Sequence, residues 1–484
     1  MRTPIATLAL ALGVFGARAP LAAQQPLDRN VPPTPGPTPA IHIPTWTRTT
    51  LANGATLVVV QKHDLPLVAC DIQFVGGADN FEPPDKLGAA GFTAQMLSEG
   101  TTTRTADQIS EAAQLLGTAI ESGVGGEGGT LQFTSLTTSF EPALALVADM
   151  LLHPTFPTEA LERIRGRALV QLKQAKDRPN VIASDVFAKV VYGDGHPYGR
   201  VMTERTVNAI TRDDIVAFHR AYYQPGRAII TVAGDVQPDA VKAAVEHAFA
   251  DWPAGGARPA WHYPALPAPK PTTIYLVDKP DAAQSVFAIG LPGPSRDTPD
   301  FYAIDVMNML LGGLFQSRLN HDIREVKGYS YGVGSGFDFG HGPGAFRAGG
   351  GIVTAKTDSA LIAFMQQFRG VEGEAPFTED EIQQGKQSLI QSLPRRFASV
   401  DGLAASVAAL YTEGLPQNYF QEFPGRINAV TRAEMLRVAR KYIDLGHLSI
   451  VIVGDRAAVE QPLKATGIAP IVMLDADGNP VSTP

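Results

Sequence analysis

Apolar residues follow two periodicities along the chain, one typical of strands and one typical of helices. The segment ATLVVVQKHDLPLVACDIQFVGG (55–77) predicts two strands, because β-branched residues form two apolar runs separated by polar turn residues. Helical spacing follows, and a longer amphipathic helix with a basic face is predicted over 160–177. The shorter helices of this half are predicted at 88–98, 105–117 and 141–152.

The second part of the chain repeats this order of elements. Strands are predicted over 273–290, helices over 300–312 and 315–326, and a further strand over 329–339. Strands come in hairpin-like pairs as well as in alternation with helices. The pattern therefore predicts an α+β fold with sandwich layers rather than a doubly wound parallel sheet.

An internal repeat relates the two halves of the chain. The segments 210–235 and 430–455 align without a gap, and each predicts a helix, a turn and a β-branched strand that ends in Gly-Asp. A repeat of this length indicates duplication of a whole domain pair, since solenoid repeats are much shorter. The matching residues of the first segment are Thr211, Arg212, Arg220, Tyr222, Ile230, Gly234 and Asp235.

Two proline-rich stretches suggest the domain boundaries. Residues 24–44 predict an extended spacer, and residues 259–273 predict a linker. These stretches divide the chain into an N-terminal half at 45–258 and a C-terminal half at 274–484.

The first residues have the pattern of an export signal. Residues 1–23 combine Arg2, a short apolar run and a small-residue cleavage region, which predicts a signal peptide and an exported, most simply periplasmic, protein. Secretion and an uncleaved anchor are the alternatives. The single cysteine, Cys70, excludes an internal disulfide and is expected to be a small buried hydrophobe. The net charge of −8, without a basic stripe, argues against a nucleic-acid partner.

Several segments together resemble one family of zinc peptidases. The segment GAAGFTAQMLSEGT (88–101) begins where the first strand pair ends, and HPYGR (196–200) and IREVKGYSYGV (323–333) follow in the order that family has. The chain from 47 to 455 resembles the inverzincins, the pitrilysin, insulinase and mitochondrial processing peptidase family. The resemblance implies two homologous halves, each with two α+β layers, that close as a clamshell.

The resemblance also locates a metal site that this chain does not preserve. Active members carry H-x-x-E-H on the helix, with two His ligands to zinc and a Glu as general base. The alignment puts these positions on Gly91, Ala94 and Gln95, and a further Glu ligand on Gln171. Glycine and alanine have no ligand atom, and an amide is a poor zinc donor. We therefore expect no metal or other cofactor in this chain and no peptidase activity when it is alone.

A relocated metal site finds little support in the sequence. No two histidines are spaced three to five residues apart, and His321 and Glu325 are the pair that could share a helix face. A surface ion pair explains that spacing better than a site with two ligands.

One functional pair of the family has been kept. The resemblance implies an Arg and a Tyr seven residues apart, which selects Arg324 and Tyr331. The predicted helix should end near Gly328, and Tyr329 and Tyr331 should then share a strand face. A guanidinium and a phenol are suitable donors for an oxyanion. The structural alternative is an Arg that suits the helix dipole and a Tyr that suits a strand.

Two functional hypotheses follow from these features. In one, the chain is the non-catalytic subunit of a heteromeric zinc metallopeptidase. Its partner carries H-x-x-E-H and the zinc, and this chain lends Arg324 and Tyr331 to that site. In the other, it is a stand-alone protein that binds or scaffolds peptides or unfolded polypeptides. The glycine-dense segment 122–129 is either a flexible substrate-sensing loop or a mobile turn, and 340–346 predicts a hairpin turn.

Overall fold

Two mixed six-stranded sheets organise the part of the chain that the computed structural model describes, residues 43–481. The predicted signal peptide and almost all of the predicted spacer lie outside these residues. The first sheet contains β1 (Trp46–Thr50), β2 (Thr56–Gln61), β3 (Leu67–Val75), β4 (Ile120–Val124), β5 (Gly128–Leu136) and β6 (Ala228–Gly234). The second contains β7 (Thr273–Asp278), β8 (Gln284–Pro292), β9 (Ser330–Phe337), β10 (Ala345–Val353), β11 (Ser449–Gly454) and β12 (Ile471–Leu474).

The two sheets share one topology except at one edge. The strand orders are β1-β2-β6-β3-β5-β4 and β12-β7-β11-β8-β10-β9. In both, the second and third strands are parallel and the remaining inner pairs are antiparallel. The edge strand differs, because β1 runs antiparallel to β2 whereas β12 runs parallel to β7. The α+β fold class and the two related halves are therefore confirmed.

Helices cover the sheets on both faces. They are α1 (Ala78–Phe81), α2 (Ala89–Met96), α3 (Ala106–Leu115), α4 (Phe140–Leu152), α5 (Thr158–Ala175), α6 (Pro179–Tyr192), α7 (Glu204–Ala209), α8 (Arg212–Tyr222), α9 (Pro238–Ala248), α10 (Phe301–Asn308), α11 (Arg318–Asn320), α12 (Thr357–Arg369), α13 (Glu379–Arg396), α14 (Val400–Thr412), α15 (Tyr419–Ala429), α16 (Arg432–Tyr442) and α17 (Arg456–Ala465). Within the described residues, none of these helices has the length and apolarity needed to cross a membrane.

Two predicted helices of the second half take a different form. The helix predicted at 300–312 is α10 followed by a π-helical turn at Met309–Gly313. The helix predicted at 315–326 begins only at Arg318, because Ser317 is extended, and it continues as a π-helical turn over His321–Val326. Gly328 ends it in the left-handed region at φ 66°, as the sequence predicted.

The sequence repeat corresponds to a capped helix and the strand that follows it. Thr211 caps α8 and Thr431 caps α16, and each accepts a hydrogen bond from the backbone N–H three residues on. The carboxylates of Asp214 and Glu434 in turn accept a hydrogen bond of 2.7 Å from the N–H of the capping threonine. The strands that follow, β6 and β11, occupy the same inner position in the two sheets.

Each half covers one face of the other half's sheet with a helix. Helix α6 follows the first half's helices in sequence but packs on β8 and β11 of the second sheet. The ring of Phe187 is 3% exposed there, and Gly290 leaves room for it, since a Cβ at Gly290 would lie 2.9 Å from the Phe187 ring. The Arg347 guanidinium lies 5.3 Å from the same ring and donates to Ser184 Oγ at 3.1 Å.

The reverse exchange uses α14 of the second half. This helix packs on β2, β3 and β6 of the first sheet. Its buried side chains Leu403 and Val407 join Val58, Val60 and Ile229 in one apolar cluster. The two halves consequently form one compact unit.

Cys70 lies in β3 and is 1% exposed. Burial raises the pKa of its thiol far above the ordinary value, so the thiolate is suppressed. The prediction of a small buried hydrophobe is confirmed.

We predict that removing one exchanged side chain destabilises both halves together. Phe187→Ala should lower the free energy of unfolding by about 3–5 kcal/mol, because it leaves a cavity between α6 and the second sheet. Urea unfolding should still show a single transition. Leu115→Ala, at a side chain that is 82% exposed on α3, is the control and should change stability by less than ~0.5 kcal/mol. Separate transitions for the two halves, with only one of them shifted by Phe187→Ala, would contradict the proposed coupling.

Candidate functional site

Helix α2, which carries the positions of the expected metal site, is held by its buried face and by a carboxylate at its start. Phe92 and Met96 are buried in the core of the first half. The Oε1 atom of Glu82 accepts hydrogen bonds from the N–H groups of Gly88 at 2.9 Å and Ala90 at 2.7 Å. A carboxylate at this position satisfies free N–H groups of the first turn. The helix is therefore stabilised without a metal ion.

The four positions that correspond to zinc ligands and base do not form a zinc site. A side chain at Gly91 would meet no atom within 4 Å, so that position faces open space. Ala94 is buried, with 1% exposure. Gln95 is exposed, and its Nε2 donates to the Gly91 carbonyl at 3.3 Å. Gln171 is exposed on α5. This donor set does not fit zinc, which takes thiolate, imidazole or carboxylate ligands.

No other metal centre replaces it in the part of the chain that the structure describes. No group of three His, Cys, Asp or Glu side chains there could hold a metal ion. The predicted ion pair between His321 and Glu325 is wrong, because Glu325 pairs with Arg324 at 3.2 Å. His321 and Glu325 both lie in the π-helical turn, in which residues four apart do not stack as they do in an α-helix.

Arg324 and Tyr331 both lie at the surface of the second half. Arg324 is in the π-helical turn, and its guanidinium lies 4.5 Å from the centre of the Phe315 ring. Tyr331 is in the edge strand β9 and is 85% exposed. Within residues 43–481 the two side chains do not hydrogen-bond with each other, and the Tyr331 hydroxyl has no hydrogen-bond partner. The Tyr331 hydroxyl is thus available to a molecule outside the chain, whereas Arg324 pairs with Glu325 through its Nε atom.

The glycine-dense segment 122–129 forms a tight turn between β4 and β5. Its carbonyls accept hydrogen bonds from the start of α1, with 2.9 Å from Ala78 N to Gly125 O and 2.9 Å from Asp79 N to Gly126 O. A Cβ at Gly77 would lie 2.4 Å from the Gly125 carbonyl, so only glycine permits this approach. In the structure these backbone contacts join the turn to the start of α1.

The side chain of Glu127 connects this turn to the second half of the chain. Its carboxylate accepts hydrogen bonds from the hydroxyls of Tyr198 and of Tyr263, the latter at 2.6 Å. It also accepts from the N–H of His341 at 3.0 Å and of Gly342 at 3.3 Å. The last two residues belong to the connection between β9 and β10, which is the predicted hairpin turn. One carboxylate therefore joins the turn of the first half, the HPYGR segment, the linker and a turn of the second half.

Stacked rings surround this carboxylate. The His196 ring stacks on Tyr192 at 5.2 Å and on Tyr263 at 5.4 Å. The Trp261 ring stacks on His341 at 4.1 Å. Trp261 and Tyr263 lie in the predicted linker, so that segment packs against both halves although it contains no helix or strand.

The protonation of this cluster follows from its hydrogen bonds. Burial raises the pKa of Glu127, but the bonds from Tyr198, Tyr263 and the two N–H groups outweigh burial and hold the pKa below its ordinary value. Burial and the Glu127 charge raise the pKa of both phenols. The carboxylate therefore stays ionised and the phenols stay protonated near neutral pH, which is the state that these bonds require.

A cleft of ≈ 570 Å³ lies between the halves beside this cluster. It is lined by side chains of both signs and by the glycine-dense turn. Arg296 pairs with Glu413 at 3.5 Å, and the guanidinium lies 3.6 Å from the centre of the Phe301 ring. Burial raises the pKa of Glu413, with Arg296 opposing.

No motif in the sequence indicates Glu127, Tyr263 or His341 as functional residues. The HPYGR motif and the aromatic residues inside the proline-rich stretch were the available indications. The partners of Glu127 lie 71 to 215 positions along the chain.

Two family models match this chain. The model described as "Insulinase (Peptidase family M16)" matches residues 57–199, and the model described as "Peptidase M16 inactive domain" matches residues 209–389. The first match contains α2 and its degenerate metal positions, and the second contains Arg324 and Tyr331.

Curated proteins give the same result. The chain is 30% identical over 352 residues to an uncharacterized zinc protease of Mycobacterium leprae (strain TN), covering 71% of this chain and 77% of that protein. It is 29% identical over 289 residues to the uncharacterized zinc protease YmxG of Bacillus subtilis (strain 168), covering 59% of this chain and 68% of that protein.

Solved structures share the whole architecture. A peptidase M16 inactive domain from Pseudomonas fluorescens superposes with a TM-score of 0.78 at 26% identity and covers 85% of this chain and 98% of its own length. A protease from Helicobacter pylori, 18% identical, has a TM-score of 0.78 over 85% of this chain and 100% of its own, and it supports the fold alone. With the resemblance in the sequence thus confirmed, this chain belongs to the M16 (insulinase) peptidase family as a member whose sequence lacks the H-x-x-E-H motif.

Proposed function

We propose that this chain is the non-catalytic subunit of a heteromeric zinc metallopeptidase. The observation that carries the proposal is a complete two-half fold in which α2 has kept its shape but not its ligands. A chain that lost the chemistry without any remaining role would be free to lose the surrounding architecture too. Retention of both sheets, both exchanged helices and the cleft supports a continuing role in binding polypeptide.

The partner in this proposal is a homologue that carries H-x-x-E-H and the zinc. This chain completes the chamber around an unfolded or extended peptide substrate, using the cleft between its halves. Within residues 43–481 no group of three His, Cys, Asp or Glu side chains could hold a metal ion that would activate a water for hydrolysis. An exported, periplasmic complex is the location that the N-terminal sequence pattern suggests.

Arg324 and Tyr331 are the groups that this chain contributes to the reaction. In the hydrolysis of a peptide bond, the scissile carbonyl oxygen gains negative charge, and aligned donors stabilise that charge. The Tyr331 hydroxyl has no partner within residues 43–481, and its side chain is 85% exposed on an edge strand. The Arg324 guanidinium lies on the Phe315 ring and pairs with Glu325 through its Nε atom. In this proposal the Tyr331 hydroxyl and the terminal NH groups of Arg324 donate to a carbonyl held at the partner's site.

A stand-alone peptide-binding protein is the second candidate. The cleft supports it, because a binding site formed by this chain alone needs no second subunit. The two candidates differ in whether a zinc-bearing homologue gains activity from this chain.

We predict that the isolated, tag-free chain holds no stoichiometric zinc after dialysis, because its four metal positions offer no suitable donor. The matched gain-of-ligand variant combines Gly91→His, Gln95→His and Gln171→Glu, each at an exposed or open position. Elemental analysis should find one zinc per chain in this variant. About one zinc in the wild-type chain, lost in Gln95→Ala, would contradict the assignment. A variant without zinc would show that the three positions do not face one another.

We predict that the chain forms a complex with an H-x-x-E-H homologue from the same genome. The mixture should elute earlier than either protein on a sizing column and should cleave peptides that neither protein cleaves alone. We expect this result because the homologue carries the zinc, whereas this chain carries Arg324 and Tyr331. Full activity of the homologue by itself would defeat the heteromeric proposal and favour the stand-alone candidate.

We predict that Tyr331→Phe lowers kcat of the assembled complex by about 10²–10³, the usual effect of removing one oxyanion donor. Tyr329→Phe is the matched control, because it makes the same change two residues earlier on the same segment, and it should leave kcat unaltered. Arg324→Ala should lower kcat to a similar extent and raise KM. Zinc content and assembly should stay constant in all three. Wild-type kinetics in both assembled Tyr331→Phe and Arg324→Ala would show that the pair is structural.

A further inference from the structure

A second cavity lies against α2, on the side of the missing metal ligands. Its volume is ≈ 340 Å³. It is bounded by the start of α2, by α1, by the turn after β4, by Pro197 and Arg200 of the HPYGR motif and by Met202. Gly91 borders it, and a side chain at that position would meet no atom within 4 Å. The cavity therefore extends to the position where Gly91 has no side chain.

Two side chains of opposite charge line this cavity without pairing. The Asp79 Oδ2 atom is buried and has no hydrogen-bond partner within the described residues. The Arg200 Nε atom is also buried without a partner there. A Cβ at Gly126 would lie 2.8 Å from Asp79 Oδ1, so glycine at 126 makes room for this carboxylate. Buried polar atoms without partners are rare in native proteins, and at a cavity they identify the groups that a bound molecule could satisfy.

Two other carboxylates near Asp79 already have partners. Glu82, on the same side of the cavity, accepts two N–H bonds at the start of α2. Glu127, on the turn after β4, accepts hydrogen bonds from the Tyr263 hydroxyl and from the N–H of His341. Asp338 and Arg347 of the second half line the adjoining cavity. Asp79 is therefore the carboxylate that is free to bind a cation.

We propose that this cavity binds the amino terminus of a peptide, with the Asp79 carboxylate accepting from the ammonium group and the Arg200 guanidinium donating to a carbonyl of the same peptide. The acidic groups at the cavity, Asp79 and Glu82, outnumber the one basic group, which favours a cationic ligand over an anion. A bare metal ion would find one free carboxylate ligand here and a nearby guanidinium that repels it, whereas hard cations take several oxygen ligands. A volume of ≈ 340 Å³ suits the end of a peptide better than an ion.

This site goes beyond the proposed function, since binding requires neither the partner subunit nor its zinc. A failure of the heteromeric proposal would leave it intact, and its own failure would leave the role of Tyr331 intact. The shared chemistry of an ammonium next to a carbonyl also occurs in free amino acids. Trialanine amide and alanine amide distinguish a peptide from a single amino acid as the ligand.

Isothermal titration calorimetry of the full chain with trialanine amide tests the proposal. Saturable binding with one site per chain is expected at pH 7.5. N-acetyl-trialanine amide should bind at least about tenfold more weakly, because acetylation removes the charge that pairs with Asp79. Alanine amide should bind more weakly than trialanine amide if a peptide rather than an amino acid is the ligand. Equal binding of the acetylated and free peptides, or no heat from the free peptide, would overturn the proposal.

Variants place the binding at this cavity. Asp79→Asn keeps the shape but removes the charge, and it should weaken trialanine amide at least about tenfold. Gly91→Leu should fill the cavity and block binding while strengthening α2, because leucine is a better helix former than glycine. Asp85→Asn changes an exposed carboxylate outside the cavity and serves as the control. Unaltered affinity in folded Gly91→Leu would overturn the placement, even where Asp79→Asn does not fold.

The dependence on pH gives a readout that a merely structural role would not change. Burial, and next the Glu127 charge, raise the pKa of Asp79 to about 6, with Arg200 opposing. Below that pH the protonated carboxyl cannot pair with an ammonium group, so affinity for trialanine amide should fall as the pH drops through 6. Asp79→Asn should remove this dependence. Binding of the ammonium group requires ionised Asp79, so it is linked to release of the carboxyl proton. A wild-type affinity that stays constant between pH 5 and 8 would therefore overturn the role of Asp79.

Discussion

The exchange of helices between the two halves is the constraint on which the rest of this structure depends. Each sheet has a face that its own half leaves uncovered, and α6 and α14 cover those faces reciprocally. An apolar sheet face of this size cannot remain exposed to water in a stable protein. The halves therefore hold one another in place, and the cleft between them exists because both sheets are fixed. Glu127 and its hydroxyl and N–H donors then join the turns at the edge of that cleft.

The same architecture explains how metal ligands could be lost without loss of the fold. Helix α2 is stabilised by buried side chains and by the Glu82 carboxylate, so its stability does not require coordination bonds. The cavity beside Gly91 is lined by Asp79 and Arg200, and each has one buried side-chain atom without a hydrogen-bond partner in residues 43–481. The parts of the second half that face outward, Arg324 and Tyr331, do not line this cavity.

The sequence predicted those features that depend on local pattern. The threonine that begins α8 and the one that begins α16 are capping residues in a repeated segment, and the β-branched runs after them are central strands. The α+β class and the family followed from such segments. The π-helical turn that carries Arg324 was predicted as α-helix, because single-sequence periodicity does not distinguish the two at this length. The exchange of α6 could not be predicted, since an apolar helix face does not indicate which sheet it covers. The free carboxylate of Asp79 likewise depends on the position of turn residues distant in sequence.

The central claim is that this chain supplies donors to a zinc site held by another subunit. The most direct test is the structure of the chain assembled with an H-x-x-E-H homologue and an uncleaved peptide. The account predicts zinc only on the homologue's helix. It also predicts that the Tyr331 hydroxyl and the Arg324 guanidinium lie within hydrogen-bond distance, about 2.7–3.2 Å, of the scissile carbonyl oxygen. Zinc bound at α2 of this chain, or Tyr331 and Arg324 facing solvent far from the bound peptide, would contradict it.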